Sequence, residues 1–140
     1  MVRGLILSVM FLSAGAAHAG VSPGEWNTTN TTTIFAETTT ETGEACLASE
    51  ESATSAQSLA AAFAEPLWCE AGELAEGETG YEFRMTCGPA SVYRYGSGTL
   101  SIASETEYAI SAELRVNIPG STQLNGQMEF RAEHVGACES

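Results

Sequence analysis

The chain has 140 residues, of which 44% are hydrophobic, and its 18 acidic and five basic residues give a net charge of −13 at pH 7. This length accommodates one domain with a modest core. So acidic a chain repels nucleic acid and anionic lipid, because few cations are present to offset phosphate charge. We therefore expect no nucleic-acid partner. The charge either attracts cations and basic partners or serves solubility.

The N-terminal segment MVRGLILSVMFLSAGAAHAG is typical of a secretory signal peptide. A basic start at Arg3 precedes an apolar run from Leu5 to Leu12 and a small-residue cleavage site at Ala17–Ala19. We expect cleavage after Ala19, which leaves residues 20–140 as a single β-rich periplasmic domain. We expect no transmembrane anchor, because a spanning helix needs about 20 apolar residues and this run is shorter.

The next two segments predict one strand and one helix. Residues 26–42, WNTTNTTTIFAETTTET, have the β-branched composition of an extended strand with one wet face. After Cys46, Ser49 is a candidate N-cap, Glu50 and Glu51 would occupy the first turn, and Pro66 follows the alanine-rich stretch. This is the only helix that we expect.

Four cysteines in an exported chain predict two disulfides, for which three pairings are open. Cys69 and Cys87 each lie nine residues from Glu78, so a hairpin that turns at Glu78 places them directly opposite each other. By elimination Cys46 pairs with Cys138, which would also support closure of the sheet into a barrel. We disfavour zinc because the chain has no Cys-x-x-Cys pair.

The rest of the chain predicts an antiparallel meander. Alternation is clearest from Glu107 to Ile118, and turns around Glu105 and Pro119 would pair this strand with a neighbour on each side. The expected layers combine large with small residues: Gly96 with Leu114 and Met128, Gly98 with Ala112 and Phe130, and Leu100 with Ile110 and Ala132. In the same register Phe83 lies beside Gly96 and Tyr81 beside Gly98, so that aromatic rings cover the glycines.

The predicted fold is therefore mainly β, a meander curled into a half-barrel or small barrel with one short α-helix and two disulfides. Its inner face supplies the candidate ligand-facing residues, which are Arg94, Tyr81, Phe83, Tyr108, Leu114, Phe130 and His134. Two of them invite a functional interpretation. Arg94 is either a charge for an anionic ligand or a side chain that reaches solvent at the strand end. His134 is either an acid, base or metal ligand, or a histidine bonded to Tyr108 or to backbone.

The order of landmarks resembles a known family. Pro23-Gly24-Glu25-Trp26 precedes the threonine-rich strand, four cysteines follow, and Gly136-Ala137-Cys138 ends the series. This pattern is similar to the exported proteobacterial family known only as domain of unknown function thirty-six-seventeen. The resemblance implies a periplasmic or envelope protein with no assigned activity, and it carries over no catalytic residue.

Two functions remain from different classes. The first is a non-enzymatic periplasmic or cell-envelope domain that binds a small apolar ligand in a curved β-sheet. The alternative is a structural or assembly factor that acts through protein–protein contacts, at an exposed sheet edge or on its acidic surface. We expect no catalytic set, metal or cofactor, because no nucleophile, base and orienting acid occur in a recognised spacing.

Overall fold

The computed structural model describes residues 20–48, 54–117 and 124–138. The predicted signal peptide, its cleavage site after Ala19 and the predicted turn around Pro119 lie outside these residues. In chain order the elements are β1 (Gly24–Ile34), β2 (Glu37–Leu47), α1 (Ala56–Ala64), a 3₁₀ turn (Glu65–Leu67), β3 (Cys69–Ala71), β4 (Ala75–Glu76), β5 (Tyr81–Cys87), β6 (Tyr93–Ser104), β7 (Glu107–Val116) and β8 (Asn125–Gly136).

The strands form one antiparallel sheet in the order β2-β1-β8-β7-β6-β5-β3, and β4 pairs with β5 beyond the end of β3. The two outermost strands, β2 and β3, do not pair with each other, so the sheet is open. The predicted class is confirmed: the protein is mainly β, with one α-helix in the described part of the chain. Of the two predicted forms, the closed small barrel is excluded, because the sheet is open.

The threonine-rich segment is a hairpin and not the single strand that we predicted. The chain turns at Phe35–Ala36, and β1 and β2 then pair from Ile34↔Glu37 to Gly24↔Leu47. Phe35 has a φ of 61°, a left-handed conformation that tight hairpin turns require and that glycine or asparagine usually supplies. Because neither residue is present, the sequence carries no turn signal at this point.

Helix α1 begins at Ala56. Its N-cap is Ser55, whose Oγ accepts a hydrogen bond from the Ser58 backbone N–H at 3.2 Å. The predicted N-cap Ser49 lies outside the described residues, as do Glu50 and Glu51. The helix buries one face, which consists of Ala56, Leu59, Ala60, Phe63 and Ala64.

Both predicted disulfides are present. Cys69 opposes Cys87, with Cα atoms 3.9 Å apart, and Cys46 joins Cys138 at 5.7 Å. The second bridge does not require a closed barrel. Cys46 and the end of β8 both lie beside Glu25, so the bridge passes over the start of β1 and ties β2 to the chain end.

The register of the meander agrees with the prediction in one hairpin and differs by two residues in two others. Around Glu105, Gly98 opposes Ala112 and Leu100 opposes Ile110, as predicted. On β8, however, Leu114 opposes Gly126 and not Met128. A slip of two residues keeps every side chain on its face, so alternation alone does not determine it.

The second slip changes which aromatic ring covers which glycine. Phe83 opposes Gly98, and Tyr81 opposes Leu100, each two residues from its predicted partner. A Cβ atom on Gly98 would lie 2.7 Å from the Phe83 ring, so glycine is required for this contact. The ring-over-glycine arrangement is therefore present with a different pairing.

Candidate functional site

Six of the seven predicted ligand-facing residues lie on the face of the sheet that carries α1. Phe83, Tyr108 and Leu114 are buried in the core. Tyr81 and Phe130 are partly buried against them, and the Phe130 ring lies 5.8 Å from Phe63 of α1. The side chains of this face therefore pack against the helix and against one another. These five residues belong to the core.

The inward position predicted for Arg94 is wrong. A bulge between Tyr93 and Tyr95 changes the alternation at the start of β6, so that Tyr93 opposes Val116 and is 5% exposed. Arg94 is exposed to solvent. Burial also raises the pKa of Tyr93 above its ordinary value.

The predicted position of His134 beside Tyr108 and Ile102 is wrong. His134 packs beside β1. It opposes Trp26, with the two rings 5.4 Å apart in an edge-on arrangement. Its Nε2–H donates to the Pro23 carbonyl oxygen at 3.0 Å, which agrees with the prediction of a histidine bonded to backbone. This hydrogen bond occupies the ring nitrogen, so Nε2 is not available as a base.

The outer face of the sheet carries a solvent-open depression of about 860 Å³ over β5 to β8. Its lining includes Arg84 and four glutamates. Part of this polar surface is internally paired: Ser111 Oγ donates to Glu129 at 2.7 Å, and Asn125 Nδ2 donates to Glu113 at 3.3 Å. We interpret it as a hydrated sheet surface.

Strand β2 forms a long free edge. It has 11 residues, of which all but the last are exposed, and within the described ranges no strand pairs with its outer side. It contains no proline or lysine and carries Glu37, Glu41 and Glu44. At the other edge of the sheet, β3 and β4 have three and two residues. The two edges therefore differ greatly in the backbone that they offer to a partner.

An open cleft of about 350 Å³ lies between the β1–β2 hairpin and two connecting segments. The hairpin contributes a polar wall, which consists of Asn30, Thr32, Thr39 and Glu41. The opposite wall comes from Pro66–Trp68, before β3, and from Ala90 and Val92, before β6. Trp68 and Val92 are 68% and 64% exposed, which is unusual for large apolar side chains beside a cleft.

Sequence patterns did not single out this cleft. Its apolar wall belongs to connections, where no periodicity marks which side chains point outward. One signal was present: Trp68 directly precedes Cys69, and a bridged cysteine fixes the backbone next to it.

The chain matches the model of a protein family. The match covers residues 21–138 and belongs to the family described as Protein of unknown function (DUF3617). The chain belongs to this family. No curated protein and no solved structure shows significant similarity to it.

The landmarks of this DUF3617 protein meet at one corner of the sheet. Gly24 has a φ of 132°, and a Cβ atom there would overlap the carbonyl of Gly136 and the ring of His134. Trp26 is 1% exposed and packs on His134 and Tyr108. The Gly-x-Trp landmark thus has a structural basis, since it lets two strand ends and the chain end pack together.

In the described part of the chain, no helix is long and apolar enough to cross a membrane. The same residues contain no group of three or more His, Cys, Asp or Glu side chains placed to hold a metal ion.

Proposed function

We propose that this DUF3617 protein is a non-enzymatic, exported envelope domain that holds a polypeptide partner by adding one of the partner's strands to β2. The free edge of β2 carries the proposal. An extended chain that docks there satisfies the outward backbone N–H and C=O groups of β2, which is the basis of recognition by strand addition.

The form of the edge favours this function over a purely structural role. Soluble proteins usually protect a sheet edge by making it short, by adding lysine or proline, or by covering it. The edge at β3 and β4 is short and β3 lies against α1. The edge at β2 keeps 11 exposed residues in one continuous strand. Such an edge risks uncontrolled pairing unless a specific partner uses it.

Charge indicates the chemistry of the partner. Glu37 and Glu41 lie on the inner face of β2 and Glu44 on the outer face, since they pair with residues of opposite faces of β1. A second copy of the chain brings the same carboxylates and the same net charge of −13. Like charges on adjacent strands are destabilising. We therefore propose a basic extended segment from another protein.

The alternative of a small apolar ligand within the curved sheet has less support. The side chains expected to face that ligand pack in the core, where Leu114 is 1% and Phe83 3% exposed. Export remains part of the proposal, supported by the two disulfides, which persist in oxidising compartments.

A titration with a designed peptide tests strand addition. The probe is a peptide as long as β2 in which lysine and threonine alternate, and the control has the same charge with prolines at its centre. We expect the probe to slow hydrogen exchange of the outward amides of β2, as measured by NMR, while the control leaves them unchanged because proline breaks the strand. Equal effects of both peptides would mean that charge alone drives binding and would overturn the proposal.

A further inference from the structure

The cleft beside β2 has a rigid apolar wall. Gly88 N–H donates to the Trp68 carbonyl oxygen at 3.0 Å, and Ser91 Oγ donates to the Leu67 carbonyl oxygen at 2.7 Å. Ser91 Oγ also accepts from the Tyr93 N–H at 3.0 Å. With the neighbouring disulfide, these bonds join the two connecting segments that carry Trp68 and Val92. A wall that is already ordered loses little entropy when a ligand packs on it.

Trp68 occupies a backbone position that does not suit it. It ends the 3₁₀ turn with φ 62° and ψ 35°, and its N–H donates to Glu65. Glycine or asparagine is the usual residue at such a left-handed cap, because a large side chain is strained there. The indole is nonetheless 68% exposed, so burial does not compensate for the strain. Strain of this kind is concentrated at binding and catalytic sites.

The polar wall offers a buried hydrogen-bond acceptor and a carboxylate. The Asn30 side-chain oxygen is buried and accepts no hydrogen bond within the described residues. An unpaired buried acceptor is destabilising, so a donor that reaches it is favoured. Glu41 opposes Asn30 across the hairpin, on the same face, and adds a carboxylate.

We propose that this cleft selects the sequence of the strand that binds β2, and that it takes an apolar side chain on Trp68 and Val92 with a lysine or arginine two residues away, at Glu41. The proposal rests on strand addition to β2. Side chains of an added strand alternate between faces, so residues two apart both point toward the cleft. The apolar side chain covers the indole, and the basic one pairs with the carboxylate.

Trp68 provides the readout. The chain has two tryptophans, and Trp26 is 1% exposed, so a change in solvent contact reports on Trp68. The probes are the blocked tripeptide Leu-Thr-Lys and two long Lys-Thr peptides, one with leucine and one with alanine at the position that faces Trp68. We expect the tripeptide to shift the Trp68 emission to shorter wavelength. We expect the leucine peptide to bind about tenfold more tightly than the alanine peptide, a difference of about 1.4 kcal/mol.

Three variants locate the effect. Trp68→Asn should remove the preference for leucine, and Glu41→Gln should remove the preference for lysine over glutamine at the second position. Val135→Ala is the matched control, because Val135 is 52% exposed and lies outside the cleft, and it should retain both preferences.

The outcomes separate the two proposals. Slow exchange of the β2 amides with equal affinity for the leucine and alanine peptides overturns the role of the cleft and leaves strand addition intact. A tripeptide that shifts the Trp68 emission, together with long peptides that leave the β2 amides unchanged, overturns strand addition and with it the selection of an added strand by the cleft. An unchanged Trp68 emission with every probe overturns the cleft proposal.

Discussion

Strands β5 to β8 and the β1–β2 hairpin belong to one sheet, but they differ in what covers their inner face, the face that carries α1. In β5 to β8 this face packs into a core, with Leu100 and Ile110 fully buried. In β2 the same face points toward an open cleft and solvent. Strand β1 joins the two regions, since it pairs with β2 on one side and with β8 on the other, and Trp26 at its start is buried.

Beyond the buried Trp26, the hairpin is therefore stabilised more by cross-strand links than by burial. Pairs of threonine hydroxyls join its strands, at 3.3 Å between Thr31 and Thr40 and 3.1 Å between Thr33 and Thr38. Cross-strand pairs of this kind contribute roughly 0.2–1 kcal/mol each. The Cys46–Cys138 bridge anchors the far end of β2. A strand that is held in place without being covered is suited to contact with a partner.

The largest expected effect comes from removing the Cys46–Cys138 bridge. Its cysteines are 92 residues apart, against 18 for Cys69–Cys87, and the chain-entropy model gives about 4–5 kcal/mol for the longer loop and about 3 for the shorter. Urea unfolding of the Cys46→Ser/Cys138→Ser and Cys69→Ser/Cys87→Ser variants measures both losses. A larger loss from the shorter loop would contradict the view that the long bridge anchors the hairpin.

Core and edge substitutions should differ most clearly in side-chain truncation. Leu114 is 1% exposed, so Leu114→Ala leaves a cavity in the core. It should lower the free energy of unfolding by about 2–5 kcal/mol. Thr42→Ala, on exposed β2, should change it by less than about 0.5 kcal/mol. Chemical denaturation of both variants checks this. A large loss from Thr42→Ala would mean that β2 is part of the core.

Alkaline pH should lower the free energy of unfolding through Tyr108, which lies in the core. Burial raises the pKa of Tyr108 from 10.0 to about 12. The unfolded chain then loses the phenol proton at lower pH than the folded chain, so this contribution is complete below about pH 10 and disappears as the pH rises to about 12. The loss amounts to roughly 2–3 kcal/mol. The free energy of unfolding of Tyr108→Phe should therefore fall less steeply with pH over this range. A pH dependence identical to that of the parent protein would show that Tyr108 titrates normally.

The smallest effect concerns Trp68. Replacing it with asparagine relieves the left-handed strain and removes little packing, so Trp68→Asn should raise the free energy of unfolding by up to about 1 kcal/mol. Thermal unfolding with Trp26 fluorescence follows the change. A loss of stability of similar size would show that the indole supports the fold, which would weaken its assignment as a contact residue.

The sequence predicted the core side better than the edge. The Cys69–Cys87 register followed from a short loop with a clear turn at Glu78, and the hairpin around Glu105 followed from strict alternation on both sides. The pairing of β8 was off by two residues, because alternation specifies a face and not a register.

Two local features of the backbone account for the other differences. The bulge at Tyr93–Tyr95 reversed the inward and outward positions of Tyr93 and Arg94, and no glycine marks it. The turn at Phe35–Ala36 has no glycine or asparagine, so composition alone predicts one strand where the structure has the hairpin that creates the free edge. The cleft depends on that hairpin and on Trp68 in a connection, and sequence patterns alone therefore could not assemble it.

Hydrogen exchange of the full chain at low and high protein concentration tests most directly whether the edge of β2 is free. We predict that the outward amides of β2 exchange at rates close to those of an unfolded peptide at both concentrations, while amides of β6 and β7 exchange only through global unfolding. Protection of β2 comparable to that of β7 at both concentrations would show that the edge is covered within the chain. Protection that increases with concentration would show that a second copy binds there, and either result would contradict a free edge reserved for a basic partner.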